Sequence, residues 1–291
     1  MTLIVRLLAV LALLGSAKAW CDTTAFADRY AGAGGAGACD TNYAITGRMP
    51  DTGTTHPVFV YLVGTTEAHD NGQAMAAITR MAQAGYVAAA VQYRSEVFGT
   101  CVDIAKKAAC IFKPTAPASA ISKLCARGNC GKGIVVAGFS QGAVAAILAK
   151  NTDKRVRAVY GMGALASYSF YDLASCMSNR KHALPSSNLR IVNGEKDQFV
   201  GANAANVRTS SQAVTGKICA AGASTCLNRN GSGWIMVRNS QVVDKSADHC
   251  YQRASKDCLG NQNVLDANWR SANANWALPA NLKWLRTFVA P

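Results

Sequence analysis

The 291-residue sequence predicts an α/β fold, a mostly parallel central sheet with helices on both faces. Short apolar runs alternate with segments whose apolar residues recur at helical spacing. Those runs are continuous rather than alternating, as strands covered on both faces must be. The length also suits one such domain: about 270 residues remain once an apparent leader is set aside, enough to bury a full core.

The leader is read first. Residues 1–19 hold Arg6, an apolar run over 7–14 and the small-residue end Ala17-Lys18-Ala19, the layout of a secretory signal peptide cleaved after Ala19. The apolar run is too short to cross a bilayer, which takes about 20 residues. Trp20 before Cys21 argues against lipid attachment, and no later segment is apolar enough to span. Residues 20–291 are therefore expected to be exported, without stable membrane insertion, as a single domain and a monomer.

Within that domain, the Gly/Ala-rich stretch 31–38 lies between two cysteines and reads as a loop. An edge strand is expected at 43–49, followed by a turn with Pro50, Asp51 and Gly53. Residues 58–63 form a buried strand ending at Gly64. A helix follows at 73–84, where Met75, Ile78 and Met81 share a face, and Gly85 ends it. Strand 87–93, helix 116–126, strand 134–137, helix 140–150 and strand 156–162 come next. Strands at 189–193 and 234–237 complete the sheet, and a helix at 280–289 closes the chain behind Pro279. Residues 200–233, rich in Ser, Asn, Ala and Gly, read as an insertion that either borders the cleft or is a passive surface loop.

Ligands of parallel sheets bind beyond the carboxyl ends of the strands, and the chemistry-bearing residues fall there. Gly138-Phe139-Ser140-Gln141-Gly142 follows one strand and opens a helix. A serine on so tight a turn takes a strained backbone, and larger neighbours two residues away on either side would clash. This pattern matches the nucleophile elbow of the α/β-hydrolase fold, so Ser140 is expected as the nucleophile and the Gln141 N–H as an oxyanion donor. In that fold the acid and then the histidine follow the serine. His249 is the histidine expected, since His56 and His69 precede the serine and His182 precedes the acid strand. Asp197, in the turn after strand 189–193, is the expected acid; Glu195, Asp172, Asp244 and Asp248 are its alternatives. The second oxyanion donor is expected from Gly64-Thr65-Thr66-Glu67, through Thr65.

Those two segments carry a resemblance. Gly64-Thr65-Thr66-Glu67 together with Gly138-Phe139-Ser140-Gln141-Gly142-Ala143 resembles the cutinase family of secreted serine esterases. The resemblance implies Ser140 as nucleophile and Thr65 and Gln141 as oxyanion donors. It spans residues 58–149 and fades beyond: cutinases usually bracket the catalytic Asp with a disulfide, and no cysteine lies near Asp197. Acyl-protein thioesterases share Gly-Phe-Ser-Gln-Gly, but they are cytosolic and carry no such leader.

Charge and cysteines bound the rest. The formal net charge of +14 falls by Arg6 and Lys18 once the leader is removed. The remaining basic residues are scattered without interleaved aromatics, so no nucleic-acid partner is expected. All eleven cysteines follow the leader. Proximity suggests the pairs Cys21–Cys39, Cys101–Cys110, Cys125–Cys130, Cys219–Cys226 and Cys250–Cys258, with Cys176 alone. No CxxC pair occurs and histidines are few, so neither metal nor cofactor is expected. The function expected is hydrolysis of a carboxylic ester, small or polymeric. A lipase, a polyester depolymerase, a peptidase or a non-catalytic secreted binding protein on the same fold are the alternatives.

Overall fold

A computed structural model describes residues 21–31, 42–53, 55–178 and 183–291; the expected leader and, apart from Ala31, the loop expected at 31–38 lie outside them. The strands and helices run β1 (Thr23–Ala31), β2 (Asn42–Pro50), β3 (Val58–Leu62), α1 (Gly72–Gln83), β4 (Val87–Val91), α2 (Cys101–Phe112), α3 (Ala120–Arg127), β5 (Ile134–Phe139) and α4 (Gln141–Thr152). Then follow β6 (Val156–Met162), β7 (Ser167–Tyr168), β8 (Tyr171–Asp172), α5 (Leu173–Ser178), β9 (Leu189–Gly194) and α6 (Ala204–Thr215). The chain ends with β10 (Thr225–Leu227), β11 (Gly233–Val237), α7 (Ala267–Ser271) and α8 (Leu278–Leu285).

Nine strands form one sheet in the order β1-β2-β4-β3-β5-β6-β9-β11-β10, while β7 and β8 pair as a separate hairpin. From β4 to β11 every neighbour is parallel; β1, β2 and β10 add antiparallel edges. The central strands β3, β4 and β5 are buried along their whole length, as strands covered on both faces must be. The crossover through α1 runs toward the β1 edge, whereas that through α4 runs the other way. Right-handed crossovers of opposite direction put those helices on opposite faces. Accordingly α1 packs on α8, and α4 packs on α2. The reversal falls between β3 and β5, so the loops after these two strands part there and leave a crevice.

Two expectations about the elements are corrected. Strand 43–49 is β2 and is not the edge, because β1 pairs along its outer side. Mostly exposed, with Asp28 and Arg29 near its end, β1 lacks the apolar run that marks a buried strand. The apolar spacing does not announce helix α2, because its buried face, Cys101, Ile104, Lys107, Ala108 and Ile111, includes a lysine. Residues 200–233 are not all loop: they supply α6, which packs on β9 and β11, and the edge strand β10.

Cysteine pairing is partly as proximity suggests, with Cys125–Cys130, Cys219–Cys226 and Cys250–Cys258 formed. Cys101 instead pairs with Cys176, at a Cα–Cα distance of 5.5 Å. Cys101 and Cys110 sit on one helix, where nine residues rise about 13 Å, beyond the reach of a disulfide. Cys110 is disulfide-bonded, though not to Cys101. Cys21 is exposed and free, and its expected partner Cys39 lies outside the described residues. Disulfides of this number belong to a chain that folds in an oxidising environment. Among the described residues no helix is long and apolar enough to cross a membrane.

Candidate active site

Ser140 stands between β5 and α4 with φ 52° and ψ −121°, a conformation that costs on the order of 1–3 kcal/mol and persists only where packing imposes it. Here the two glycines allow that packing. A Cβ on Gly138 would lie 2.3 Å from the carbonyl oxygen of Gly142, and one on Gly142 would lie 2.3 Å from that of Leu62. The start of α4 is thus seated directly on the end of β3. The Ser140 N–H donates to the Met162 carbonyl at 2.8 Å, locking the turn to β6.

Asp197 and His249 come together from loops after neighbouring strands. Asp197 is fully buried, and His249 is 4% exposed. Oδ2 of Asp197 lies 2.8 Å from His249 Nδ1, while Oδ1 accepts the N–H groups of Phe199 and Val200 at 3.0 and 3.1 Å. A carboxylate on Nδ1 selects the tautomer that leaves Nε2 as acceptor. The imidazole is flanked by the rings of Phe139 and Phe199, at centroid distances of 4.9 and 4.7 Å. Gly163 makes room for it, since a Cβ there would approach His249 Cε1 to 2.7 Å. The two loops are stitched by backbone: Lys196 N–H donates to the Ala247 carbonyl at 2.9 Å. Ser140, His249 and Thr65 line one cleft of about 660 Å³, walled by Phe98, Tyr168 and Phe199.

The rival residues are occupied elsewhere. Glu195 pairs with Arg238 at 3.0 Å and accepts the Asn239 N–H. Asp172 accepts the Ser175 N–H at the start of α5, and Asp244 and Asp248 accept backbone N–H groups in their own turns. His56 bonds the carbonyls of Thr52 and Gly85, His69 lies beside Thr46, and His182 lies outside the described residues.

Thr65 and Gln141, the two residues expected to supply oxyanion donors, are joined through their side chains: Gln141 Nε2 donates to Thr65 Oγ1 at 3.0 Å. The backbone N–H groups of both residues have no partner among the described residues; Thr65 lines the cleft, and Gln141 is buried directly after the cleft-lining Ser140. Glu67, for which the sequence suggests no role, holds the Gly64–Glu67 loop in shape. It accepts the Gly64 N–H at 2.7 Å and pairs with Arg253, whose guanidinium sits 5.8 Å from the Phe139 ring centre. Burial lowers the pKa of Arg253. This pair joins the Thr65 loop to the His249 loop, and nothing in the spacing of residues 67 and 253 announces it.

No family model and no curated protein matches this chain. Among the described residues no group of three or more His, Cys, Asp or Glu side chains is placed to hold a metal ion.

Proposed function

We propose that this chain is a secreted serine hydrolase of the α/β-hydrolase fold, similar to the cutinases, that cleaves carboxylic esters through an acyl-enzyme. The observation that carries the reading is the buried Asp197–His249 pair facing the same cleft as a serine held at φ 52°. A strained serine, an oriented imidazole and the unpaired Thr65 N–H on one cleft, with the unpaired Gln141 N–H next in the chain to that serine, have a shared use in acyl transfer. The disulfides and the leader-like residues 1–19 support export.

His249 Nε2 takes the proton of Ser140 as Oγ attacks the ester carbonyl. The oxyanion rests on the N–H groups of Thr65 and Gln141, at the N-terminus of α4. The resulting imidazolium, stabilised by Asp197, returns its proton to the departing alcohol. A water then attacks the acyl-enzyme with His249 again as base, releasing the acid and Ser140.

The test is labelling of the purified protein with a fluorophosphonate probe beside Ser140→Ala, followed by p-nitrophenyl esters from acetate to palmitate. Labelling confined to the parent is expected, and the chain-length profile separates short-ester, cutinase-like and lipase-like activity. A folded, disulfide-intact parent that takes no label would sink the hydrolase reading in favour of a secreted binding protein.

A further inference from the structure

Lys107 is 4% exposed, yet no carboxylate pairs with it among the described residues. From the buried face of α2 its ammonium donates to three oxygens: the carbonyls of Val97 and Phe98 and, at 2.9 Å, Oε1 of Gln141. All three of its protons are thereby used. A buried charge held only by neutral oxygens is costly to keep, and burial pulls its pKa down to about 8. Such a group calls for a reason beyond packing.

The reason lies in what the bonds beyond it must do. An ammonium has no lone pair, so the atom that Gln141 turns toward it must be the oxygen. The amide nitrogen is then committed to the other side, where it donates to the Ser95 carbonyl at 3.1 Å and to Thr65 Oγ1 at 3.0 Å. Since Thr65 Oγ1 accepts there, its own proton stays free, and no acceptor takes it among the described residues. Thr65 lines the cleft beside Ser140.

We propose that Lys107 is a positioning residue for the oxyanion site: it sets the direction of a hydrogen-bond chain, Lys107 to Gln141 to Thr65, so that the Thr65 hydroxyl is left to donate into the cleft. This rests on the hydrolase reading above. Through Val97 and Phe98 the same ammonium ties the cleft wall to the start of α4, so wall and donors hold one register.

The experiment is a double-mutant cycle between Lys107→Met and Thr65→Val, two side chains with no direct bond, read as kcat and KM on p-nitrophenyl butyrate with thermal unfolding of each variant. Each single change is expected to lower kcat about tenfold with KM within about twofold, a modest fraction of the effect of losing a full oxyanion donor. The double variant should also fall about tenfold, not a hundredfold, because both changes cut one chain. Thr65→Ser, which keeps the hydroxyl, should restore most of kcat. If Lys107→Met does not fold, Gln141→Met replaces it in the cycle with the same expectation. A folded Lys107→Met (or Gln141→Met) enzyme with parental kcat, or losses that multiply in the double variant, would overturn the positioning role and leave the hydrolase reading intact. A parent that neither takes the fluorophosphonate nor cleaves any ester would overturn both.

Discussion

The bank of the cleft that carries Ser140 is specified within one turn of chain, whereas the bank that carries Asp197 and His249 is assembled from residues 52 positions apart. On the first bank sterics suffice: two glycines permit a contact of backbone on backbone that any Cβ would block, and the serine is forced into its strained turn. On the second, no short segment carries the information. The Asp–His contact exists because β9 and β11 are parallel neighbours, so the loops after them emerge side by side. Gly194 is pressed against the carbonyls of Ala247 and Asp248, and the Cys250–Cys258 bridge follows the histidine at once. The strained serine needs only a local conformation, whereas the buried histidine needs a distant partner; the chain meets the two needs by different physics.

The largest effect expected on the second bank is that of Asp197→Asn. It should lower kcat on p-nitrophenyl esters by roughly ten thousandfold, through the wrong imidazole tautomer, in a protein that still folds. Glu195→Gln, two residues away, should leave kcat within about twofold. Equal losses in the two variants would show that the Asp197–His249 contact is not what organises this bank.

Stability sharpens the comparison next. By loop length alone, losing Cys101–Cys176, with its separation of 75 residues, should cost about 4 kcal/mol in chemical denaturation. Losing Cys250–Cys258, with a separation of 8, should cost about 2 kcal/mol. Cys176→Ser and Cys258→Ser measure the two, and a reversed order would mean that native contacts, not loop entropy, dominate these bridges. On the first bank, Gly142→Ala should destabilise by about 1–3 kcal/mol, because its Cβ meets the unyielding backbone of Leu62. An unchanged Tm in that variant would show that the elbow is not sterically dictated.

The smallest effect is expected outside both banks. Phe170, at the tip of the β7–β8 hairpin, is 85% exposed while lining the cleft mouth. Phe170→Ala should leave unfolding unchanged within about 0.5 kcal/mol. Its effect should be a few-fold rise in KM for long-chain esters only.

Much of the fold could be read along the chain, since β3 and β5 are apolar runs buried on both faces, β6 is buried except at Arg157, and α1 carries its apolar residues on one face. The strand β1 and the helix α2 could not: one is exposed and polar, and the other hides a lysine on its inner face. The hairpin of β7 and β8 is too short to leave a periodic signal at all.

By itself the sequence determined the layered α/β class and the strained serine, because strand burial and elbow sterics act between residues near in the chain. It also narrowed the candidate histidine to one and the candidate acid to a few. Only the tertiary structure decided that Asp197 rather than Glu195 meets His249, that Cys101 pairs with Cys176, that Glu67 pairs with Arg253, and that Lys107 lies under Gln141. Each of those contacts depends on the order and register of strands, and that order is set by how the whole sheet buries its faces rather than by any residue in the pair.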